Sequence, residues 1–458
     1  MPELILDLQN QEHSGLSDRF FFYETDSNNR LAPMIRSIKL AFAAAVFAVL
    51  PVGAQTTFEE MAQDLNRTGG VYYAYPTRQA ENTPAPKGYK PFYISHYGRH
   101  GSRYLISDND YRWVSDLLHK ASDANALTSL GKDVMHRLDT VIAEADRRGG
   151  DLSPLGARQH QEIARRMYDN YPEVFKGKDK KISARSTLVP RCIISMGNFC
   201  QSLKQRNPEL DITLESSEKY MPYLCYSTPE SNEFNGGKGW WREVHRKFER
   251  KQVKPERLVS TIFSDPVFVE CYVMPENFMW GMYWVASDAQ NSENKISFYD
   301  VFTPQELFDI WQCFNADFYA RHSNFPPAEG KHLNNAKPLL RNFIEGAEKA
   351  IAGEGEAATL RFGHDGNVVP FTALLHFDNC YGEAERPEDF YKVWNDWRVS
   401  PMAANIQMVL FRNSKNPEDV LVKFLHNEKE TRIPVTTDIW PYYHWNDVKA
   451  YYESLLSE

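Results

Sequence analysis

The sequence has no excess of basic residues, because it carries 52 lysines and arginines against 61 aspartates and glutamates in 458 residues. The resulting formal charge of −9 gives the chain no general attraction for nucleic acid or for an anionic membrane surface. Low-complexity segments and internal repeats are also missing, which argues against a disordered or a solenoid protein. An anionic ligand would therefore have to be bound by a local basic pocket.

Cysteine pairs of the Cys-x-x-Cys type, which bind metals, do not occur in the sequence either. The six cysteines lie far apart, at Cys192, Cys200, Cys225, Cys271, Cys313 and Cys380. We therefore expect no metal centre. In an exported protein an even number of cysteines permits disulfides, and buried thiols fit a chain of this length as well. The sequence does not choose between these two states and does not fix a pairing.

Long hydrophobic runs are missing as well, and the apolar segment 40–49 is too short to span a bilayer as a helix. A basic segment, 34–39, precedes it and small residues at 52–54 follow it, which is the order of a signal peptide. A buried N-terminal helix is the alternative. We therefore expect a signal peptide at residues 34–54, an exported mature chain and no permanent membrane anchor. Residues 1–33 are expected to be a mis-assigned or disordered extension.

Strand, loop and helix alternate along most of the remaining chain. Apolar segments at 92–95, 181–186 and 357–363 predict buried strands, each of which runs into a polar turn and then a predicted helix. Two further strands, 406–411 and 420–425, are expected to form a hairpin. This order predicts an α/β fold in which the ligand lies at the carboxyl ends of parallel strands.

Residues 205–335 interrupt this alternation. They are rich in Trp, Tyr, Phe and Pro, and they contain a strong helix start at residues 303–306, with the sequence Thr-Pro-Gln-Glu. We predict that this segment forms an inserted, mainly helical cap. The α/β domain would then be discontinuous, comprising residues 55–204 and 336–458.

The strongest chemical signal is the segment Arg99-His100-Gly101-Ser102-Arg103, directly after the first predicted strand. Two arginines flank a histidine, and the glycine lets the backbone approach a ligand closely. Guanidinium groups bind phosphate oxygens, while an imidazole can attack the phosphorus atom. A solvated basic turn is the alternative interpretation, but the preceding strand is the context that such a motif requires.

A second candidate site is Arg185-Ser186-Thr187 together with Arg191, where a predicted strand ends and a helix begins. A helix N-terminus beside a guanidinium group is suited to binding phosphate. Helix capping by Ser186 or Thr187 explains the same residues equally well. The segment therefore supports a phosphate site only in combination with other signals.

The third candidate site is Phe362-Gly363-His364-Asp365, again at the end of a predicted strand. When a histidine attacks a phosphate ester, the departing alkoxide needs a proton, which a nearby carboxylic acid can donate. The same carboxylate can then take a proton from water in a second step. His364 could meanwhile donate a hydrogen bond to a phosphoryl oxygen.

Together, these three segments resemble the histidine phosphatase superfamily, and within it the acid phosphatase and phytase branch. The segment 152–161 (LSPLGARQHQ) is similar to the Leu-(Ser/Thr)-x-x-Gly-x-x-Gln segment of that branch, and 94–104 (ISHYGRHGSRY) looks most like bacterial relatives of the multiple inositol polyphosphate phosphatases. That subfamily carries His-Ala-Glu where this chain has His364-Asp365, so the expected proton donor is of the acid phosphatase type. The resemblance implies a phosphoglycerate-mutase-like α/β/α core that carries the cap.

The resemblance also implies roles for individual residues. These are the nucleophile His100, the proton donor Asp365 and the phosphate ligands Arg99, Arg103, Arg191 and His364. Arg185 is a further candidate ligand. In the cap, Lys238, Arg242 and Arg246 are candidates for binding a polyanionic substrate. The alternative for these three is a solvated helix face, offset by neighbouring glutamates.

The sequence therefore predicts an exported enzyme that hydrolyses phosphate monoesters through a phosphohistidine, without a metal or an organic cofactor. Phytate and related inositol phosphates are the first expected substrates, and a broad-specificity acid or sugar-phosphate phosphatase is the alternative. A mutase-type phosphotransferase and a non-catalytic phosphate- or glycan-binding protein are the rival classes. The predicted signal peptide argues against the first, and the presence of both His100 and Asp365 argues against the second.

Overall fold

The computed structural model describes residues 56–77, 82–177, 180–236 and 240–457. The predicted signal peptide and the residues before it lie outside these ranges. The chain divides into two compact units, Met1–Glu60 and Met61–Glu458, and the sheet belongs to the second. In the part of the chain that is described, no helix is long and apolar enough to cross a membrane.

The strands of the described residues form one mixed sheet. They are β1 (Tyr89–Arg99), β2 (Lys181–Ser186), β3 (Asp211–Ser216), β4 (Ala358–Gly363), β5 (Asn405–Asn413), β6 (Val420–His426), β7 (Lys429–Glu430) and β8 (Tyr443–His444). Their order is β3-β2-β4-β1-β5-β6-β7, and β8 pairs with β6. Strands β1 to β4 are parallel, whereas β5 pairs antiparallel with both β1 and β6. The predicted parallel strands and the predicted hairpin are therefore the two halves of a single sheet.

The helices fall into three groups along the chain. Those before β3 are α1 (Thr57–Gln63), α2 (Asn109–Asp123), α3 (Ser129–Ala145), α4 (Pro154–Asn170), α5 (Pro172–Phe175) and α6 (Pro190–Arg206). Those between β3 and β4 are α7 (Met221–Leu224), α8 (Pro229–Asn235), α9 (Trp240–Gln252), α10 (Glu256–Ile262), α11 (Pro266–Tyr272), α12 (Pro275–Ala289), α13 (Pro304–His322) and α14 (Lys337–Ile351). Those after β4 are α15 (Asp365–Leu374), α16 (Pro387–Val393), α17 (Asp396–Val399) and α18 (Trp445–Ser457). Short 3-10 helices lie at Leu65–Tyr72, Glu218–Tyr220, Tyr299–Val301, Pro326–Ala328 and Leu333–Ala336.

The hydrophobic core lies between the sheet and helices on each face. On one face, Ile163 of α4 and Phe199 of α6 pack with Ile94 and Leu360 of the two central strands. On the other face α18 covers the antiparallel half, where the rings of Phe424 and Tyr452 lie 5.9 Å apart. Every residue of β4 is buried, as expected for a central strand that is covered on both faces. The predicted three-layer α/β/α fold is therefore confirmed.

Residues 217–336, which we call the helical insert, contain helices but no strand within their described part. The predicted helix start at residues 303–306 is present: the Thr303 side chain accepts from the Glu306 N–H, and the Glu306 side chain accepts from the Thr303 N–H. The sequence analysis also placed residues 205–216 in the cap, but β3 lies there and pairs with β2. This short edge strand has no buried residue, but Ile212 and Leu214 alternate with polar residues, a strand signal that the sequence analysis overlooked.

Candidate active site

The site is built on the turn that follows β1, between the ends of two neighbouring strands. The His100 N–H donates to the Gly363 carbonyl at 2.9 Å, and the His100 carbonyl accepts from the Ala403 N–H at 2.9 Å. His100 is fully buried. Its backbone is therefore fixed by the end of β4 on one side and by the segment before β5 on the other.

The imidazole of His100 is held in one tautomer. Its Nδ1 atom lies 2.9 Å from the Gly101 carbonyl oxygen. A carbonyl oxygen can only accept a hydrogen bond, so Nδ1 carries the proton. In the neutral ring Nε2 then has the lone pair, which is the requirement for a nitrogen nucleophile.

Arg99, the last residue of β1, is buried and held by three groups. One terminal nitrogen, Nη1, donates to the carbonyls of Val71 at 2.5 Å and Ser400 at 2.9 Å. The other, Nη2, lies 2.6 Å from the Asp365 carboxylate. The guanidinium group is thereby fixed in place, and it contacts the carboxylate predicted to be the proton donor.

The predicted His364-Asp365 pair lies at the end of β4 and the start of α15. The ring centroids of His364 and His100 are 5.8 Å apart. His364 Nε2 is 3.1 Å from the Thr187 hydroxyl, which follows β2, and 3.7 Å from Cys192 Sγ. The carboxyl ends of β1, β2 and β4 therefore meet at one place, as the alternation of strands and helices predicted.

The two remaining predicted phosphate ligands are Arg103, in the turn itself, and Arg191. The Arg103 guanidinium lies 4.9 Å from the centre of the Tyr72 ring and donates to the Tyr104 carbonyl at 2.9 Å. Arg191, in the first turn of α6, donates to the Gly150 carbonyl at 3.3 Å. Both side chains are at least nine-tenths buried. Each is held by backbone carbonyls, which orient the guanidinium group.

The segment 152–161 holds the turn in place through hydrogen bonds and backbone contact. Gln159 accepts from the Ser102 N–H and donates to the Ser102 hydroxyl, both at 2.8 Å, while the Ser153 N–H donates to the Ser102 carbonyl at 2.8 Å. Gly156 and Gly101 are in direct backbone contact, because a Cβ on Gly101 would lie 2.4 Å from the Gly156 carbonyl oxygen. Glycine is required at both positions for this close approach.

Arg185 makes a different set of contacts. Its guanidinium pairs with Glu215 at 3.4 Å, donates to the Tyr223 hydroxyl at 3.2 Å and lies 4.5 Å from the centre of the Tyr220 ring. Within the described residues, the structure gives Arg185 no contact with His100. The candidate ligand is therefore engaged with its strand neighbours in β3 and with the start of the helical insert.

The cap residues singled out in the sequence do not form one basic face. Arg242 donates to the Asn235 carbonyl at 3.0 Å and lies 3.6 Å from the Asp317 carboxylate. Arg246 is exposed and pairs with Glu243 at 2.9 Å. Arg246 therefore lies on the solvated, charge-offset helix face that was the alternative, whereas Arg242 is largely buried. Lys238 lies outside the described residues.

Sequence reasoning missed the groups that support the site from distant segments. Asp396 is buried, accepts from the Trp311 indole N–H at 2.9 Å, and lies near Arg99. Burial raises its pKa to about 7. On the Arg103 side, buried Asp288 accepts from the Tyr111 hydroxyl, and burial raises its pKa to about 7 as well. No local sequence pattern marks either aspartate.

The comparisons with known proteins come from structure alone, because no protein family model and no curated protein matches this chain. A multiple inositol polyphosphate phosphatase from Bifidobacterium longum, in complex with inositol hexasulfate, superposes with a TM-score of 0.70 at 18% identity. The match covers 84% of this chain and 97% of that one. The same enzyme in complex with phosphate gives 0.69. A phytase from D. castellii gives 0.63 at 14% identity, over 86% of this chain and 85% of that one.

This chain has the histidine acid phosphatase fold. The resemblance stated from the sequence motifs is thereby confirmed at the level of the fold. At 14–18% sequence identity, the match comes from the comparison of structures, whereas the sequence shows only the short motifs. In this histidine acid phosphatase fold, His100, Arg99, His364 and Asp365 lie together at the carboxyl ends of adjacent strands.

Proposed function

We propose that this chain is a phosphatase that hydrolyses phosphate monoesters through a covalent phosphohistidine on His100. The observation that carries the proposal is the tautomer of the His100 ring. Its Nδ1 is hydrogen-bonded to the Gly101 carbonyl, so Nε2 has the lone pair. The His364 ring lies 5.8 Å from the His100 ring, and Arg99, the residue before His100, pairs with Asp365. A nucleophile, cationic groups and an acid are therefore within one small buried region.

In the first step, His100 Nε2 attacks phosphorus and the bond from phosphorus to the leaving oxygen breaks. Arg99, Arg103, Arg191 and His364 stabilise the negative charge on the phosphoryl oxygens. Asp365, in its protonated form, gives its proton to the leaving oxygen, so the alcohol departs neutral. When the phosphoryl group binds, it competes with Asp365 for the Arg99 guanidinium.

In the second step, a water molecule attacks the phosphohistidine. The Asp365 carboxylate takes a proton from this water, and the bond between phosphorus and Nε2 breaks. Inorganic phosphate leaves, and His100 and Asp365 return to their starting states. Because Asp365 must be protonated in the first step, we expect the rate to be highest at mildly acidic pH.

We propose inositol polyphosphates such as phytate as the substrates. The support is the likeness to a multiple inositol polyphosphate phosphatase solved with inositol hexasulfate and with phosphate, and to a phytase. This chain has an aspartate, Asp365, where that subfamily has the glutamate of His-Ala-Glu. A broad-specificity acid or sugar-phosphate phosphatase therefore remains the second candidate. We further propose that the helical insert forms the cap over the site, and that a signal peptide at residues 34–54 exports the chain.

The test is phosphate release from phytate and from p-nitrophenyl phosphate at pH 5 with EDTA present. We expect turnover by the mature chain and none by His100→Ala. The ratio of the two rates separates a phytase from a general acid phosphatase. Transfer of the phosphate to another position of the substrate, without release, would favour the mutase-type rival. Phosphate binding without turnover would favour the binding-protein rival.

A further inference from the structure

A partly exposed histidine lies on the leaving-group side of the site. His322 is in the last turn of α13, the longest helix of the insert, where it packs on Phe318 with ring centroids 4.7 Å apart. A Cβ placed on Gly366 would lie 3.9 Å from His322 Cε1, so the imidazole faces the first turn of α15. Gly366 directly follows Asp365. The helical insert therefore contributes a side chain beside the predicted proton donor.

The ring nitrogens of His322 are available to a ligand. Among the described residues His322 makes no hydrogen bond, although its side chain is only partly exposed. Its nitrogens are not among the buried polar atoms, so they reach solvent. This distinguishes His322 from His332, which is fully buried and bonded to both the Ala320 carbonyl and the Ser231 hydroxyl. Histidines with a structural role in this region are hydrogen-bonded, and His322 is not.

A buried cluster of paired charges lies on the same helix as His322. Asp317 lies between two guanidinium groups, with Arg321 at 3.3 Å and Arg242 at 3.6 Å. The cluster is mostly buried, and at His322 the positive charge of Arg321 is opposed by Asp317 and Asp365. His322 therefore offers an anion a hydrogen-bond donor beside Asp365, and not an excess of positive charge.

The position of Asp365 indicates which part of a substrate lies near His322. The rest of the substrate is attached to the oxygen that Asp365 protonates, so it must lie on the Asp365 side of His100. His322 lies on that side, because its ring faces Gly366, the residue after Asp365. We propose that His322 is a specificity-determining residue, which donates a hydrogen bond to a second phosphate group of a polyphosphorylated substrate. This inference rests on the proposed function and identifies its substrates as polyphosphates rather than simple monoesters.

The proposed contact does not require a charged imidazole. Burial of most of the ring, the positive charge of Arg321 on the same helix and the neighbouring His332 lower the pKa of His322 to about 3, which outweighs the opposite effects of Asp365 and Asp317. A neutral imidazole still has one N–H to donate. The contribution of His322 is therefore expected to be the same at pH 5 and at pH 7.

The test compares kcat/KM for phytate and for p-nitrophenyl phosphate in wild type, His322→Ala and His322→Gln. A hydrogen bond to a charged group contributes about 1.5–3 kcal/mol, so the phytate to p-nitrophenyl phosphate ratio should fall about 10- to 100-fold in His322→Ala. His322→Gln keeps an N–H donor and should recover part of the ratio. The control is His119→Ala, a half-exposed histidine of α2 that pairs with Asp139, which should keep the wild-type ratio.

Binding of inositol hexasulfate, measured by calorimetry, separates this inference from the proposed function. If wild type hydrolyses neither substrate, the proposed function fails, while a 10- to 100-fold weaker binding to His322→Ala still supports the His322 contact. An unchanged ratio or unchanged binding in His322→Ala would overturn the inference. Equal losses on both substrates would also overturn it, because they would indicate a general structural role.

Discussion

One methyl group at Gly156 should disable the site without unfolding the protein. Gly156 is the third residue of α4, and a Cβ there would lie 2.2 Å from the Ser102 carbonyl oxygen and 2.7 Å from the Ser102 nitrogen. Ordinary contacts of a Cβ begin at 3.4 Å. Since both neighbours are backbone atoms, the turn that carries His100 and Arg103 must move away from α4 by about 1 Å in Gly156→Ala.

The size of this movement sets the expected loss. A displacement of about 1 Å in a catalytic group can cost about 100-fold in rate, so we expect kcat of Gly156→Ala to fall by about that factor. Overpacking of this kind costs about 1–3 kcal/mol of stability, partly offset by about 0.5–1 kcal/mol because alanine favours a helix over glycine. The variant should therefore remain folded at room temperature.

The assay measures initial rates on phytate and p-nitrophenyl phosphate at pH 5, together with thermal unfolding. Gly197→Ala is the matched control, because Gly197 also lies within a helix, α6, and a Cβ there meets no atom within 4 Å. The control should keep wild-type activity. If Gly156→Ala retains activity within threefold of wild type, the turn is not held by contact with α4 and the reasoning is wrong.

Three further predictions concern groups around the turn. Thr187→Val should lower kcat about tenfold, because it removes the hydroxyl that lies 3.1 Å from His364 Nε2, whereas Thr187→Ser should restore most of the rate. Asp365→Asn should lower kcat/KM for phytate by about 100-fold or more, and less for p-nitrophenyl phosphate, whose leaving group needs no proton. Burial lowers the pKa of His160 to about 3, so the unfolded chain binds more protons than the folded chain between about pH 6.5 and 3. The free energy of unfolding should therefore be about 3 kcal/mol lower at pH 4 than above pH 6.5. His160→Met should show a smaller difference when urea unfolding is measured at both pH values.

Each of these has an outcome that contradicts it. Equal rates of Thr187→Val and wild type would show that His364 needs no support from β2. Equal losses of Asp365→Asn on both phosphate esters would argue that Asp365 only fixes Arg99. Parallel acid destabilisation of wild type and His160→Met would assign the pH dependence to other groups.

The grouping of the turn residues could be predicted because they are neighbours in the sequence. Arg99, His100 and Arg103 lie within five positions, and the end of a strand places such side chains at one edge of the sheet. His364 and Asp365 follow another strand in the same way. The parallel register of β1 and β4 then brings Gly98 opposite Phe362 and Arg99 opposite Gly363, so the two motifs meet.

The support of the site could not be predicted, because it comes from segments far apart in the chain. Arg99 is held by the carbonyl of Val71, 28 residues away, and by that of Ser400, 301 residues away. Every residue has a backbone carbonyl group, so the sequence does not indicate which of them will bind Arg99. The contacts of Arg185 with Glu215 and of Arg242 with Asp317 are hidden for the same reason: an arginine's partner depends on the fold.

The cysteines illustrate the same limit. No disulfide joins two described cysteines, and Cys192 lies instead against His364, with its Sγ atom 3.3 Å from the Gly363 carbonyl. The sequence allowed both bridges and buried thiols. For Cys192, the packing of the first turn of α6 against the end of β4 shows that it is a buried thiol and not half of a disulfide.

The most direct test of the central claim is to trap the covalent intermediate. Wild-type protein mixed with radiolabelled phosphate monoester should be quenched in alkali, where phosphohistidine survives, and the labelled peptide identified by mass spectrometry. The account predicts label on His100, and none on the His100→Ala variant. Label on another residue, or phosphate release by His100→Ala at the wild-type rate, would contradict it.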